Sequence, residues 1–212
     1  MTTKRLIILG AGGHSKVVAD IAARTRQYAN IAYLDDGLSV GTELKGGEVV
    51  AGVADWQNYF QQGVEFFVAI GNNAARQRLC SMLLDDGASL ATLIHPSAIV
   101  ADDVVVGSGS LVVAGAVINP ATTIGLGCIV NTNASIDHDC KIGDYVHIAP
   151  GSNLAGTITV GHGSFLGIGS KVIPARKIGN NVTLGAGAVV VNDISDGKVV
   201  VGCPARELVK VK

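Results

Sequence analysis

The sequence predicts a parallel β-helix preceded by a smaller α/β domain, and a six-residue period is the first observation behind this prediction. Every sixth residue from Ile94 to Val190 is Ile, Leu or Val, over seventeen consecutive positions. The residue four places after each aliphatic is usually small or branched. It points to the same inner side of a short strand as the next aliphatic. Three hexads close one triangular coil, so residues 18 apart are expected to stack.

The second observation is a change of pattern before residue 93, where strands alternate with helices. RLIILGAG is predicted as a strand, HSKVVADIAARTR as an amphipathic helix with Val17 and Val18 on its apolar face, and IAYLDD as a second strand. This alternation predicts a parallel sheet whose ligands lie at the carboxyl ends of the strands. We therefore expect an α/β domain over 1–92 and a β-helix with a C-terminal tail over 93–212.

The charge balance and the cysteines limit the function classes. With 16 basic against 17 acidic residues, the chain has no electrostatic footprint for nucleic acid. No stretch of 18 or more apolar residues favours membrane insertion, and the first apolar run breaks into a glycine loop rather than a signal-peptide cleavage site. We therefore expect a cytoplasmic protein. Cys128 and Cys140 fall on inward positions, where a free thiol packs as a small apolar group.

The end of the first predicted strand carries glycines that suit a phosphate ligand. GAGGHS matches the dinucleotide motif GxGxxG except at its last place, Ser15. Glycines let the backbone approach a ligand, and the free N–H groups at the start of the next helix attract phosphate. Gly12, Gly13 and His14 are therefore candidate substrate-binding residues. The alternative is a tight strand-to-helix turn that needs small residues.

Two further strand ends add polar groups to the same predicted edge. Asp35 and Asp36 follow the second strand, where acidic side chains accept hydrogen bonds from a ribose or a base. A turn with Gly37 is the alternative. Gly71 also lies at a strand end, beside Asn72, which is a candidate helix cap. Because a dinucleotide site would need more chain than this, a nucleotide-sugar is the better fit.

A histidine on one corner of the predicted prism suggests a site of proton transfer. His138 lies two residues after its aliphatic, where the chain turns outward, and Asp139 follows it. The stacking rule puts Gly156 directly above the imidazole, since the two residues are 18 apart. A missing side chain there leaves a recess, and the Gly156 N–H could face a reacting carbonyl. The alternative is an ordinary solvated corner residue.

Several segments together resemble one enzyme family over nearly the whole chain. They are GAGGHSKVV, LDD, AIGNN, LIHPSA, IDHDCKIGDYVHIAPGS and VGCPAREL. The chain is similar to the hexapeptide-repeat sugar acetyltransferases of the sialic-acid O-acetyltransferase type, and among them to the enzymes that N-acetylate UDP-4-amino-4,6-dideoxy sugars. This resemblance implies a Rossmann-like nucleotide-sugar domain and a left-handed β-helix. It also implies a homotrimer that binds acetyl-CoA between neighbouring prisms, without a metal.

The resemblance implies catalytic roles for three residues. His138 aligns with the family's general base, which takes a proton from the acceptor amine as it attacks the thioester. Asp139 aligns with the carboxylate that orients this base, where the family more often has Glu. The amide of Gly156 aligns with the donor to the oxyanion.

The resemblance also implies a cofactor corner. The acetyl-CoA contacts map to His147, Ile168 and Ala186, while Arg206 and the C-terminal lysines are weaker candidates for the CoA phosphates. Ile168 and Ala186 are 18 apart and stack on one corner, which is not the corner of His138. A base and a cofactor on different corners meet across a threefold interface, which favours a homotrimer. For His147, an ordinary surface histidine is the alternative.

The expected function is acetyl-CoA-dependent N-acetylation of a nucleotide-linked 4-amino-4,6-dideoxy sugar, UDP-linked in the first instance, for glycan biosynthesis. Direct transfer is expected, because no Ser or Cys pairs with His138 in a recognisable motif. The alternatives among transferases are sialic acid O-acetylation and N-acetylation of a GDP-linked amino sugar. Two other classes stay open: a trimeric β-helix metal hydratase, which needs three His ligands, and a noncatalytic nucleotide-sugar-binding scaffold.

Overall fold

The computed structural model describes residues 4–208, which form two compact units that divide after Pro96. The first unit is α/β, and in the second unit almost every strand is two residues long, with turns between the strands. The expected boundary lay between residues 92 and 93. The strand Leu93–Ile94, which the six-residue period assigns to the second domain, falls within the first unit. Within the described residues, the helices are too short and too polar to cross a bilayer.

The first unit is a mostly parallel sheet accompanied by two α-helices and one 3-10 helix. Its elements are β1 (Lys4–Leu9), α1 (Gly13–Thr25), β2 (Tyr28–Leu34), β3 (Glu43–Leu44), β4 (Gly47–Ala51), a 3-10 helix (Val53–Tyr59), β5 (Val64–Val68), α2 (Asn73–Asp85) and β6 (Leu93–Ile94). The strand order is β3-β4-β2-β1-β5, and only β3 and β4 pair antiparallel. Because β1 lies between β2 and β5, the carboxyl ends of these three strands are neighbours.

Burial explains why these segments form these elements. The centre of β1, from Leu6 to Leu9, is completely buried, as expected for the middle strand of a parallel sheet. Helix α1 buries Val18, Ile21 and Ala22, which recur at helical spacing. The prediction that Val17 shares this face was wrong, since this residue is 36% exposed. Neighbouring residues of a helix differ by about 100° in direction, so Val17 points away from the buried stripe.

The second unit contains a coil of short strands, which all have two residues except Val199–Val201, and which all pair parallel except the last strand, which is antiparallel to the one before it. These are β7 (Ile99–Val100), β8 (Val105–Val106), β9 (Leu111–Val112), β10 (Val117–Ile118), β11 (Thr123–Ile124), β12 (Ile129–Val130), β13 (Ser135–Ile136), β14 (Lys141–Ile142), β15 (His147–Ile148), β16 (Asn153–Leu154), β17 (Thr159–Val160), β18 (Phe165–Leu166), β19 (Lys171–Val172), β20 (Lys177–Ile178), β21 (Thr183–Leu184), β22 (Val189–Val190), β23 (Val199–Val201) and β24 (Arg206–Glu207). Through β22 the strand partners are 18 residues apart, for example Ser135 and Asn153. The predicted stacking rule is therefore confirmed.

The strands form three faces, which we call A, B and C. Face A is β7-β10-β13-β16-β19-β22, face B is β8-β11-β14-β17-β20, and face C includes β9-β12-β15-β18-β21-β23-β24. Following the chain, the A–B corner contains 137–140 and 155–158, and the C–A corner contains 167–170 and 185–188. Face A is therefore bounded by the C–A corner on one edge and the A–B corner on the other.

The interior of the coil is mostly apolar, and side-chain hydrogen bonds near the corners join each coil to the next. From Ser110 to Val190 the inward positions are buried, except for Arg176, which is half-buried. The Cys140 thiol lies 3.3 Å from the carbonyl oxygen of Ala155, and its sulfur accepts from the N–H of Ile158 at 3.4 Å. The inward hydroxyls of Ser110, Thr122 and Ser164 make the same pair of bonds, as Ser164 does with the carbonyl of Gly179 and the N–H of Val182. Inward thiols therefore join successive coils as well as filling space.

Candidate functional site

The A–B corner brings a histidine and a carboxylate into direct contact. His138 and Asp139 lie between β13 and β14, and Asp139 has the left-handed backbone conformation, with φ of +60°. This turn brings Oδ2 of Asp139 to 2.7 Å from Nδ1 of His138, and both side chains are more than half exposed. When Nδ1 donates its proton to Asp139, the lone pair of Nε2 is left available for an external proton.

A second carboxylate fixes the backbone beneath the imidazole, and sequence reasoning missed it. Asp137 Oδ1 accepts from the backbone N–H of His138 and from Asn119 Nδ2, both at 2.8 Å. The hydrogen bond to Asp139 and the negative charge of Asp137 together raise the pKa of His138 above its usual value. The 18-residue spacing of Asn119 and Asp137 was the available signal, because the stacking rule places them side by side.

Gly156 lies against the His138 imidazole, as the column of residues 18 apart predicts. A Cβ atom at position 156 would lie 2.6 Å from Cε1 and 2.7 Å from Nε2 of His138. The N–H of Thr157 donates to the His138 carbonyl at 2.8 Å, which locks the two coils in register. Within residues 4–208, no protein group accepts from the Gly156 N–H. The corner therefore combines a proton acceptor with an adjacent free N–H donor.

Two of the predicted cofactor residues, Ile168 and Ala186, lie on the C–A corner at the other edge of face A, and the third, His147, lies in β15 on face C. Ile168 is 61% exposed, and its carbonyl accepts from the N–H after Ala186 at 2.8 Å, so these two residues stack. His147 is buried rather than a surface residue. Its Nε2 lies 3.1 Å from Asn131 Nδ2, and its ring meets Phe165 edge to face. Asn131 belongs to the C–A corner, so this contact joins the His147 side chain to the corner on which Ile168 and Ala186 lie.

In the first unit, the two predicted aspartates hold backbone groups at the carboxyl end of β2. Asp35 Oδ2 accepts from the Ala11 N–H at 2.7 Å, while Oδ1 accepts from the N–H groups of Gly37 and Leu38. Asp36 Oδ1 accepts from the Val53 N–H at 2.8 Å. Asp35 therefore forms the turn that was the alternative explanation, and it also ties the glycine loop to β2. Asp36 keeps its second oxygen without a partner among the described residues.

The glycine loop and the end of β5 meet around a buried arginine. Gly12, Gly13 and Gly71 adjoin open space, because a Cβ atom at each position would have no neighbour within 4 Å. Arg76 is fully buried and donates to the carbonyl of Gly71 at 3.3 Å. Burial and the charge of Arg76 lower the pKa of His14 to about 4, so its imidazole is neutral. Nε2 of His14 is buried without a hydrogen-bond partner in the described part of the chain.

Family models match both units of this chain. Residues 5–83 match the PglD N-terminal domain, and residues 121–156 match the bacterial transferase hexapeptide model of six repeats. The chain is also 32% identical to the GDP-perosamine N-acetyltransferase of Escherichia coli O157:H7, over 95% of each chain. This chain belongs to the hexapeptide-repeat sugar N-acetyltransferase family. It is an acetyltransferase, with a Rossmann-like N-terminal domain and a left-handed β-helix.

Two further relatives of this acetyltransferase differ in the nucleotide that their names carry. The UDP-N-acetylbacillosamine N-acetyltransferase of Bacillus subtilis (strain 168) is 37% identical over 52% of each chain. A histidine-to-asparagine variant of perosamine N-acetyltransferase from Caulobacter crescentus, solved in complex with CoA and GDP-perosamine, is 39% identical. It matches this chain with a TM-score of 0.92 over 97% of each chain.

The structure gives less support to the remaining candidate residues of the acetyltransferase, which were expected to bind the CoA phosphates, and to the alternative of a metal site. Arg206 is exposed on β24, where Nη1 donates to the Ala205 carbonyl at 2.9 Å. The C-terminal lysines, Lys210 and Lys212, lie outside the described residues. Across residues 4–208, no three His, Cys, Asp or Glu side chains come close enough to bind one metal ion. Within the described part of one chain, no feature therefore supports the metal hydratase, which requires three His ligands.

Proposed function

We propose that this enzyme transfers the acetyl group of acetyl-CoA to the amino group of a nucleotide-linked 4-amino-4,6-dideoxy sugar. The observation that carries the proposal is the packing of the His138–Asp139 pair against Gly156. It supplies a base and a free N–H donor side by side, as amide formation from a thioester requires. The relatives described above support the choice of donor and acceptor. The two curated relatives are named as sugar N-acetyltransferases, and the Caulobacter crescentus structure contains CoA and GDP-perosamine.

The proposed reaction is one direct displacement. The amine attacks the thioester carbonyl carbon and a C–N bond forms, while Nε2 of His138 accepts the amine proton. The developing oxyanion accepts from the Gly156 N–H. When the carbonyl re-forms, the C–S bond breaks and CoA leaves as a thiolate that takes up a proton. Cys140 is close in sequence but does not compete as a nucleophile, because its thiol points inward and burial raises its pKa.

For the acceptor, we propose a nucleotide subsite at the carboxyl ends of β1, β2 and β5. Open space beside Gly12, Gly13 and Gly71 and the start of α1 suit a diphosphate. The free oxygen of Asp36 suits a ribose or a base, and the neutral His14 imidazole offers an unpaired Nε2. The Escherichia coli relative, which aligns over 95% of each chain, is named for a GDP-sugar, whereas the Bacillus subtilis relative, which is named for a UDP-sugar, aligns over 52% of each chain. We therefore place GDP ahead of the UDP expected from the sequence.

A thiol-release assay with acetyl-CoA and a panel of acceptors tests this function. We expect fast CoA release with a GDP-linked 4-amino-4,6-dideoxy sugar, slower release with its UDP counterpart, and none with CMP-linked or free sialic acid. Free GDP should compete with the sugar nucleotide but not with acetyl-CoA, because the two ligands use different units. Activity on sialic acid, or no thiol release with any amino sugar, would contradict the proposal.

We further propose that the enzyme is a homotrimer with face A turned towards the threefold axis. The base lies on the A–B corner, Ile168 and Ala186 lie on the C–A corner, and His147 contacts the C–A corner through Asn131. Face A is bounded by both corners, whereas faces B and C are each bounded by one of them. Three prisms with face A inward therefore bring the base of one subunit beside the cofactor corner of the next. The centre of this face is half-buried already, at Val117, Ser135 and Asn153.

Substitution of Val117 by arginine should break this trimer. Val117 lies in β10, and three charged side chains near one axis would repel each other and fail to pack. We expect Val117→Arg to change the light-scattering mass from that of three 21.6 kDa chains towards one, with loss of activity. Thr123→Arg is the matched control, because Thr123 is exposed one strand later, on face B. A trimeric Val117→Arg enzyme would show that face A is not the interface.

A further inference from the structure

The A–B corner differs from the other two corners in the residues that adopt the left-handed conformation. In the other two corners, glycine occupies most of these positions: Gly109, Gly115, Gly127, Gly151, Gly163, Gly169 and Gly187. In the A–B corner they are all non-glycine, namely Ala121, Asp139, Thr157 and Ala175 with φ of +58°, +60°, +63° and +58°. Since glycine adopts this conformation most easily, the A–B corner retains side chains where a glycine would fold better.

Thr157 is the least favourable of these four residues. A β-branched residue with positive φ is a genuine outlier, because two γ substituents crowd the neighbouring carbonyl. The corresponding position one coil earlier is Asp139, whose side chain orients His138. The Thr157 side chain, by contrast, orients no other residue through a hydrogen bond among the described residues. Its side chain is exposed, and within residues 4–208 its hydroxyl has no hydrogen-bond partner.

The backbone of Thr157 lies next to the residues that carry the proposed chemistry. Its N–H donates to the His138 carbonyl at 2.8 Å, and it directly follows Gly156 along the chain. It stacks one coil above Asp139, so the A–B corner carries His138, the Gly156 N–H and the exposed Thr157 side chain on adjacent coils. An acceptor amine at Nε2 of His138 carries its own sugar ring into the same space.

We propose that the Thr157 hydroxyl binds the acceptor sugar, at a ring hydroxyl next to the amine that is acetylated. This inference rests on the proposed function, because it assumes an amino-sugar acceptor. A threonine hydroxyl can donate to one sugar oxygen and accept from another, so it fits a ring that carries several hydroxyls. It makes Thr157 a specificity-determining residue, and it explains why a strained threonine occupies a turn that glycine would form with less strain.

Three substitutions of Thr157 test this contact. Thr157→Val keeps the shape but removes the hydroxyl, so the KM of the sugar nucleotide should rise about tenfold while that of acetyl-CoA stays within twofold. Thr157→Ser should remain within about threefold of wild type. Thr157→Gly should lose the same sugar affinity as Thr157→Val and yet raise the melting temperature by about 2–4 °C, because glycine relieves the backbone strain.

Ala175→Gly is the matched control, since Ala175 occupies the same corner with similar φ but carries no hydroxyl. It should raise the melting temperature with both KM values unchanged. The inference is overturned if Thr157→Val retains the wild-type KM for the sugar, or if the KM of acetyl-CoA rises equally. An inactive wild-type enzyme on every amino sugar would instead contradict the proposed function, so the two failures are distinguishable.

Discussion

Replacement of His138 by alanine should lower kcat by roughly 10²–10⁴-fold while the KM of acetyl-CoA changes little, the usual effect of removing a positioned base. The physical reason is that Nε2 of His138 is the proposed acceptor of the amine proton, and alanine has no group that can replace it. His138→Asn should not restore activity, since an amide does not take the proton at neutral pH. Raising the pH should partly rescue both variants, because the acceptor ammonium then loses its proton to water. A His138→Ala enzyme with near-normal kcat at pH 7 would leave His138 as a solvated corner residue.

Asp139→Asn provides the control that separates orientation from proton transfer. Its kcat should fall between those of wild type and His138→Ala, because the ring loses its support but keeps Nε2. The carboxylate raises the pKa of His138, so wild type becomes active only as the pH rises through that raised value. Removing Asp139 lowers the pKa, and the acidic limb of kcat/KM should move to lower pH. A shift in the opposite direction would show that Asp139 does not stabilise the imidazolium.

Gly156→Ala should lower kcat by about 10²-fold, with little change in the melting temperature. The added methyl group would meet Cε1, Nε2 and Nδ1 of His138, and these are the three nearest atoms to it. An exposed imidazole can swing away at small energetic cost, so the fold tolerates the substitution. The base, however, is displaced from the amine, and a shift of about 1 Å is enough for such a loss. Steady-state kinetics and thermal unfolding of the same preparation check both parts.

A double-mutant cycle identifies the cause of the Gly156→Ala defect. If the methyl group acts by displacing the imidazole, it should cost almost nothing further in an enzyme that already carries His138→Ala. If the substitution instead disturbs the N–H that faces the oxyanion, the two losses should multiply. Multiplying losses would therefore refute displacement of the ring as the cause.

The sequence was most informative where one rule acts locally and repeats. The inward positions, the stacking of residues 18 apart and the proximity of His138 to Gly156 all follow from the six-residue period. The two candidate corners also follow from it, since position within the hexad and coil number are sufficient to place them. These features need no side-chain conformations, and this is why periodicity alone predicts them.

Features that depend on how side chains turn could not be predicted in the same way. The sequence left open whether Asp35 contacts a ligand or forms a turn with Gly37, and only the path of the loop shows that its carboxylate accepts three backbone N–H groups. The lowered pKa of His14 comes from the burial of its own imidazole and then from the charge of Arg76, and both depend on how α1, α2 and the strand ends pack. Cys140 was placed correctly on the inside, but its bonds to the next coil depend on the direction of the thiol.

The 18-residue pairing along each face also restricts how this chain can change in length. An insertion of one hexapeptide between His138 and Ile168 would turn everything after it by a third of a revolution, and Ile168 and Ala186 would move from the C–A corner to the A–B corner, which is the corner of His138 itself. An insertion of three hexapeptides would keep every residue on its own corner and would add one coil between His138 and Ile168. Relatives of this enzyme are therefore expected to differ there by whole coils, or by loops that leave a corner and return to it.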